Sequence, residues 1–221
     1  MTNLISNSGV VATDTTGVGT AREYPGACTY GGDKGIFGYG EGGSGLTAVT
    51  NLVSNSGVVA TDTTGVGTAR VGASACEYGS DKGIFGYGQS GQSITNLVSN
   101  TGVVSSDVTG VGTGRQNPGA TGYGFDKGIF GYGWTGSVVS ITNLVSNAGV
   151  VATDTTGVGT ARQNVAACAY DGDKAIFGYG NSGSRVSLTN LVSNTGVVAT
   201  DTTGVGTVRS KLAAAGYSTS A

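Results

Sequence analysis

The sequence predicts an all-β fold: a five-bladed β-propeller occupying residues 1–221 as one domain. Three observations predict it: a long block that recurs five times, a spacing near 47 residues, and units that read as short strands with no helical period. The block has the common text TNLVSNxGVVATDTTGVGTAR. Its copies run from Thr2 to Arg22, Thr50 to Arg70, Thr95 to Arg115, Thr142 to Arg162 and Thr189 to Arg209, at start-to-start spacings of 48, 45, 47 and 47 residues. A second block, DKGIFGYG or DKAIFGYG, begins at Asp33, Asp81, Asp126 and Asp173, each eleven residues after a repeat arginine. The length variation falls in the loop after GYG, at 41–49, 89–94, 134–141 and 181–188. A period of this size with several strands per unit matches one propeller blade.

Each unit is expected to supply four strands. Lys34-Gly-Ile-Phe-Gly-Tyr alternates bulky and small residues and is rich in β-formers. Thr50-Asn-Leu-Val-Ser follows, and it meets Gly57-Val-Val-Ala-Thr through Asn55-Ser-Gly57, where asparagine and glycine can take the positive φ of a tight hairpin. The fourth strand follows each arginine, as in Ala75–Tyr78 and 213–217. Small residues in strands suit blades whose backbones approach closely. A β-solenoid is the alternative, although its rungs are usually shorter.

Five units of this length need more residues than the 221 present, and the shortfall matches one DKGIFGYG block with its loop. The expectation is that 2–16 and 210–218 share the closing fifth blade, left three-stranded with an edge open to a neighbouring chain. A piece excised or engineered from a longer array is the other possibility.

Composition excludes several classes of function. Glycine supplies 43 residues and proline only 2, which is incompatible with collagen. Charged residues are 11%, too few for a coiled coil. The absence of histidine removes Ser-His-Asp and Cys-His catalysis and histidine-ligated zinc. A net charge of −2 gives no basic footprint for nucleic acid. No apolar stretch approaches a membrane span, and the opening residues do not read as a secretion signal. No catalytic residues, metal site or cofactor are therefore expected.

The repeated charges sort into a neutral set. Asp14, Asp62, Asp107, Asp154 and Asp201, with Arg22, Arg70, Arg115, Arg162 and Arg209, recur in every copy, and four Asp-Lys pairs accompany DKGIFGYG. This predicts structural pairing, with arginine bonding to carboxylates or strand-end carbonyls. Cys28, Cys76 and Cys168 share one position, filled elsewhere by Thr121 and Ala215, and read as packed free thiols. Tyr30, Tyr78, Tyr123, Tyr170 and Tyr217 lie eight residues after each arginine, and a second tyrosine set sits in GYG. Both sets are expected in the core between blades; stacking on sugars is the functional alternative.

In order of elements, each unit resembles the kelch repeat, with Gly38-Tyr39-Gly40 in place of the glycine doublet and without the late tryptophan. The repeat text is also similar to glycine-rich repeat structural or fibre-like proteins of tailed phages of marine bacteria. That resemblance implies a virion-associated structural or adhesive module. The variable loops join the same two strands in each blade and so belong on one face, with a second variable set at 23–27, 71–74, 116–119 and 163–166. Trp134, Glu41, Gln92 and Arg185 are the candidate ligand-binding residues. The expected partners are glycans or other host-surface molecules, other subunits of a particle, or another copy through the open blade edge. A lectin-like propeller with repeated sites is the alternative function.

Overall fold

Central strands of the type Lys-Gly-Ile-Phe-Gly organise the whole chain, because each holds an outer strand on either side. The structure, a computed structural model, describes residues 1–6, 8–89 and 91–216. Counted from each arginine, the units are 22–69, 70–114, 115–161 and 162–208. In unit 1 the strands are β1 (Arg22–Glu23), β2 (Gly26–Tyr30), β3 (Lys34–Gly38), β4 (Glu41–Gly42), β5 (Gly45–Leu46) and β6 (Thr50–Val53). Unit 2 holds β7 (Ser74–Tyr78), β8 (Lys82–Gly86) and β9 (Thr95–Val98). Unit 3 holds β10 (Gly119–Tyr123), β11 (Lys127–Trp134) and β12 (Val138–Val145), and unit 4 holds β13 (Ala166–Tyr170), β14 (Lys174–Gly178) and β15 (Thr189–Val192). Among the described residues the chain is all-β, with five three-stranded antiparallel sheets: β2-β3-β6, β7-β8-β9, β10-β11-β12, β13-β14-β15 and the small β1-β4-β5. No helix among the described residues is long and apolar enough to cross a membrane.

The four-strand unit expected from the sequence is reduced to three. The Gly-Val-Val-Ala-Thr arm does not form a strand of its own; it returns beside β6 through two isolated bridges, Thr50↔Thr63 and Val53↔Val59, repeated in every copy. Its valines explain why: Val58, Val103, Val150 and Val197 point to solvent, so little burial holds a longer ladder. The hairpin turn also differs in detail. Gly57 takes φ +79, but Asn55 stays outside the left-handed region and donates its amide to Asp33 Oδ2 at 3.0 Å. Residues 213–216 are not strand, and Tyr217 lies outside the described residues.

The strands that precede each central strand lie side by side in successive units, β2 against β7, β7 against β10 and β10 against β13. Gly216 continues the series against the Ala169 carbonyl. The core is therefore divided into three layers, one at each junction between units. At the first junction the Tyr39 ring meets Phe85 edge-to-face, with centroids 5.1 Å apart. Arg70 lies over the same ring with its guanidinium carbon 4.0 Å from the centroid. Tyr87 with Phe130 and Arg115, and Tyr132 with Phe177 and Arg162, repeat the arrangement. Edge-to-face pairs and cation–π contacts each contribute on the order of 1 kcal/mol.

The GYG text is explained by this junction. Tyr39, Tyr87, Tyr132 and Tyr179 all have φ between 61 and 65, a left-handed backbone that costs a non-glycine residue about 1–2 kcal/mol. In unit 3 this point is a bulge in the β11–β12 pairing, between Gly131 and Gly133. The bulge turns the tyrosine out of the strand's alternation and into the neighbouring unit. The preceding glycine has a separate reason: a Cβ on Gly38 would lie 2.8 Å from the Phe85 ring, so only glycine admits the phenylalanine.

Candidate functional site

The two variable sets meet. β1 pairs with β4, which sets Glu23 opposite Glu41. Gln116 and Trp134 exchange both backbone hydrogen bonds, as do Gln163 and Asn181, and Gln89 donates to the Val71 carbonyl. The loop after GYG thus folds back on the segment after the arginine in each unit, bringing both sets to one end of the molecule.

At that end the residue two places after each arginine takes a left-handed turn. Tyr24, Gly72, Asn117, Asn164 and Lys211 have φ of 50, 69, 53, 54 and 60. Backbone N–H groups link the last four in succession: Asn117 donates to Gly72 O at 2.9 Å, Asn164 to Asn117 O at 3.2 Å and Lys211 to Asn164 O at 3.3 Å. The first and last of the series also touch. Lys211 Nζ donates to Tyr24 Oη at 3.2 Å and lies 5.1 Å from the ring centroid. All five residues line one open cavity of about 340 Å³, to which both prolines, Pro25 and Pro118, contribute. A second cavity of about 210 Å³ adds Glu41, Gln89 and Gln116 to the same turns. A third, of about 370 Å³, lies between Gln89, Gln116 and Trp134. The walls offer amides, one ammonium, one carboxylate and two aromatic rings, a set suited to hydrogen bonding and stacking.

The four candidate residues fall differently. Glu41 and Trp134 line cavities at this end. Gln92 serves the fold through its carbonyl, which accepts from Arg115 N at 3.3 Å. Arg185 is exposed and bridges back to Asn181, away from the three cavities. The turn residues themselves were not singled out from the sequence, although the signal was available. Tyr, Gly, Asn, Asn and Lys follow nearly invariant text at one repeat position, which marks a site whose side chain the fold does not constrain.

Asp62, Asp107, Asp154 and Asp201 are each held in a clasp that joins their own unit to the threonine two places before its arginine. Asp107 accepts from Thr68 N, Thr68 Oγ1 and Asn96 Nδ2, and Asn96 Oδ1 accepts from Arg70 Nη2 at 2.7 Å. Arg70, 1% exposed, also donates through Nε to the Tyr87 carbonyl and through Nη1 to the Thr68 carbonyl. Units 1 and 4 repeat the arginine–asparagine bond with Arg22–Asn51 and Arg162–Asn190. Arginine thus pairs with carbonyls and an amide; the nearest approaches to carboxylates are Arg22–Asp62 at 4.0 Å and Arg162–Asp201 at 3.8 Å. Burial pulls Arg70 and Arg115 below the usual guanidinium range. Burial would raise Asp107, Asp154 and Asp201, but hydrogen bonds from threonine and asparagine outweigh it and hold them below the usual carboxylate range. Asp14 bonds Asn3 in the same way. Among the described residues no three metal-binding groups come together.

The other repeated positions are also structural. Tyr30, Tyr78 and Tyr123 are at most 4% exposed, so these rings are closed to a sugar; Tyr170 is half-buried. The cysteines are unpaired. A Cβ on Gly83 would fall 2.6 Å from Cys28 Sγ, and one on Gly128 2.7 Å from Cys76 Sγ, so each thiol fills the space over a glycine of the next unit. In the third junction the equivalent residues are Thr121 and Ala175, which accounts for the variant text DKAIFGYG. Burial pushes the Cys28 thiol up to about 12. Comparison with known proteins returned no matching family model and no matching curated protein.

Proposed function

We propose that the chain is a non-enzymatic binding scaffold: a five-bladed β-propeller whose structural or adhesive role resides in the variable end. The observation that carries this reading is the separation of the two residue sets. Common residues such as Arg70, Asn96, Tyr87 and Phe85 are buried in clasps and junctions, whereas variable residues such as Tyr24, Glu41 and Asn117 line cavities at one end. Such a division lets a rigid fold change partners without losing stability. The propeller itself is supported by five equivalent turns lining a single cavity and by the Lys211–Tyr24 contact between the first and last repeats. In that reading the hairpin 2–16 and the segment from 210 share the fifth blade, and the resemblance to phage repeat proteins gives the module a place on a particle or fibre. The partners are then host-surface molecules or neighbouring subunits.

A lectin-like role is the second reading. Asn117, Asn164, Gln89 and Gln116 are amides that hydrogen-bond sugar hydroxyls, with Tyr24 and Trp134 to stack on a ring face. The burial of the repeat tyrosines leaves this one end, rather than repeated sites between blades, for a glycan.

The test replaces Tyr24, Asn117, Asn164 and Lys211 together by glycine, the residue already present at position 72. Glycine accepts the left-handed turn, so the fold is expected to survive while binding is lost. Screening native chain and variant on a glycan array and on host-cell envelope material reads the binding. Equal binding by both sinks the variable-end reading. Small-angle scattering of the chain alone tests the propeller, for which a radius of gyration of about 17 Å is expected.

A further inference from the structure

The five turns around the larger cavity form without any side chain, yet two of them carry residues that resist the turn. Gly72 holds it at φ 69 with hydrogen alone, and asparagine is the other type that tolerates it. Tyrosine and lysine are not: Tyr24 at φ 50 and Lys211 at φ 60 keep a backbone that such side chains rarely adopt. Strain of this kind collects at ligand clamps and other functional positions. The two strained residues also meet, Lys211 Nζ donating to Tyr24 Oη at 3.2 Å. Among the described residues this is the only side-chain bond of Lys211, and two of its three N–H donors remain for a ligand.

Charge divides the two cavities that share these turns. In the larger, of about 340 Å³, Lys211 is the only ionised side chain. Beside it stand the Asn117 and Asn164 amides and the Tyr24 ring, while Ser74 is already bonded to the Pro118 carbonyl. Glycine at 72 leaves room for the amide: a Cβ there would lie 2.7 Å from Asn117 Oδ1. The smaller cavity, of about 210 Å³, adds the Glu41 carboxylate with Gln89 and Gln116. Glu23, opposite Glu41 in the β1–β4 pair, has the same sign. An anionic group is therefore favoured on the Lys211 side and repelled on the Glu41 side. Glu41 accepts from hydroxyls, and the two glutamines both donate and accept.

We propose that this site takes a sugar that carries a carboxylate, with the carboxylate against Lys211 and the Asn164 amide and the hydroxyls toward Glu41, Gln89 and Gln116. The inference rests on the lectin-like reading and names its ligand class. A carboxylate has the sign that Lys211 attracts and accepts charge-assisted hydrogen bonds from the ammonium. One ammonium among neutral amides matches its single charge better than the nearly double charge of a phosphate. The hydroxyls supply the donors that Glu41 lacks. The apolar face of the sugar ring stacks on Tyr24, which is 46% exposed. A neutral sugar makes the last two contacts only, and a cationic one meets Lys211 with the wrong sign.

The test titrates methyl glucuronide, methyl glucoside and methyl glucosaminide into the isotope-labelled full chain and follows its amide resonances. The glucuronide is expected to bind about tenfold more tightly than the glucoside, the worth of one hydrogen bond to a charged group. It is also expected to shift the side-chain amides of Asn117 and Asn164. Lys211→Gly is expected to abolish the preference, Lys211→Arg to keep it, and Tyr24→Gly to weaken both sugars, each variant being checked for native circular dichroism. The ranking of the sugars and the amide shifts are read on the native chain, so they stand whatever a variant does to folding. A preference that survives Lys211→Gly, or a glucosaminide that binds best, overturns the proposal. Equal binding of glucuronide and glucoside that still depends on Tyr24 sinks the carboxylate and leaves the lectin-like reading standing. No shift with any of the three sugars overturns the proposal, and a blank glycan array as well sinks the lectin-like reading.

Discussion

The junction around Arg70, Tyr39 and Phe85 and the turns around the common cavity are both assembled from repeats, yet they respond to sequence change in opposite ways. At the junction, a guanidinium with three hydrogen bonds lies over a ring that also meets a phenylalanine edge, and a glycine makes room for that edge. Every part is set by another part, and the text is nearly constant. At the cavity main-chain bonds link four of the five turns, the side chains line an open cavity, and five copies carry four different residues. Variation is tolerated where the backbone supplies the fold, and it is excluded where side chains do.

The sharpest way to break that contrast is Arg70→Ala, which leaves the Tyr87 and Thr68 carbonyls and the Asn96 amide oxygen buried without their donor. A loss of about 3–5 kcal/mol is expected, as for other buried charged groups removed from their partners. Arg70→Lys is expected to recover little, since one ammonium cannot serve three acceptors and stack on Tyr39. Urea unfolding measures both.

Phenylalanine at equivalent positions gives the next comparison. Phe85→Ala empties a closed junction and is expected to cost about 3–5 kcal/mol. Phe37→Ala, at a side chain 37% exposed, is expected to cost well under half of that. Equal losses in urea would mean that Phe37 is covered in solution.

Gly83→Ala is expected to cost about 1–3 kcal/mol by overpacking against Cys28. The double variant with Cys28→Thr, copying the Thr121 and Ala175 pair, is expected to recover most of it. No recovery in thermal unfolding would show that the thiol is not the obstacle.

The smallest effect is the pH dependence of the clasps. Asp107, Asp154 and Asp201 are held below the usual carboxylate range in the folded chain. Their contribution is therefore present above the unfolded value near pH 4 and is lost as pH falls through the folded value. The urea midpoint is expected to fall below about pH 4 and to fall less steeply in Asp107→Asn.

Much of the fold was legible because a repeat states its local rules several times over. Ile36 and Phe37 between glycines read as strand, the loop after GYG was visibly the variable one, and the neutral set of aspartates and arginines read as pairing. Details set across units were harder to read. Gly57-Val-Val failed to become a strand because nothing packs over Val58. The positive φ of Tyr39 is unusual for a tyrosine and accompanies its packing against Phe85 of the next unit. Asn55 gave its amide to Asp33 rather than taking the turn. At the site, loop variability singled out Trp134 and Glu41, which line cavities at the variable end. Tyr24, Asn117, Asn164 and Lys211 were not, since residues 47 or so apart become neighbours only when the units stack.

The amino-acid sequence by itself determined an all-β chain of near-identical units, the places where small residues are required, and the segments free to vary. These follow from short-range physics: alternation, turn chemistry and close approach of backbones within a unit. Only the tertiary structure decided which residues meet between units, that five turns line one cavity, and that among the described residues Phe37 and Arg22 have no tyrosine where their counterparts do. Those depend on how one unit is placed against the next, a relation carried by packing and not by any single copy of the repeat.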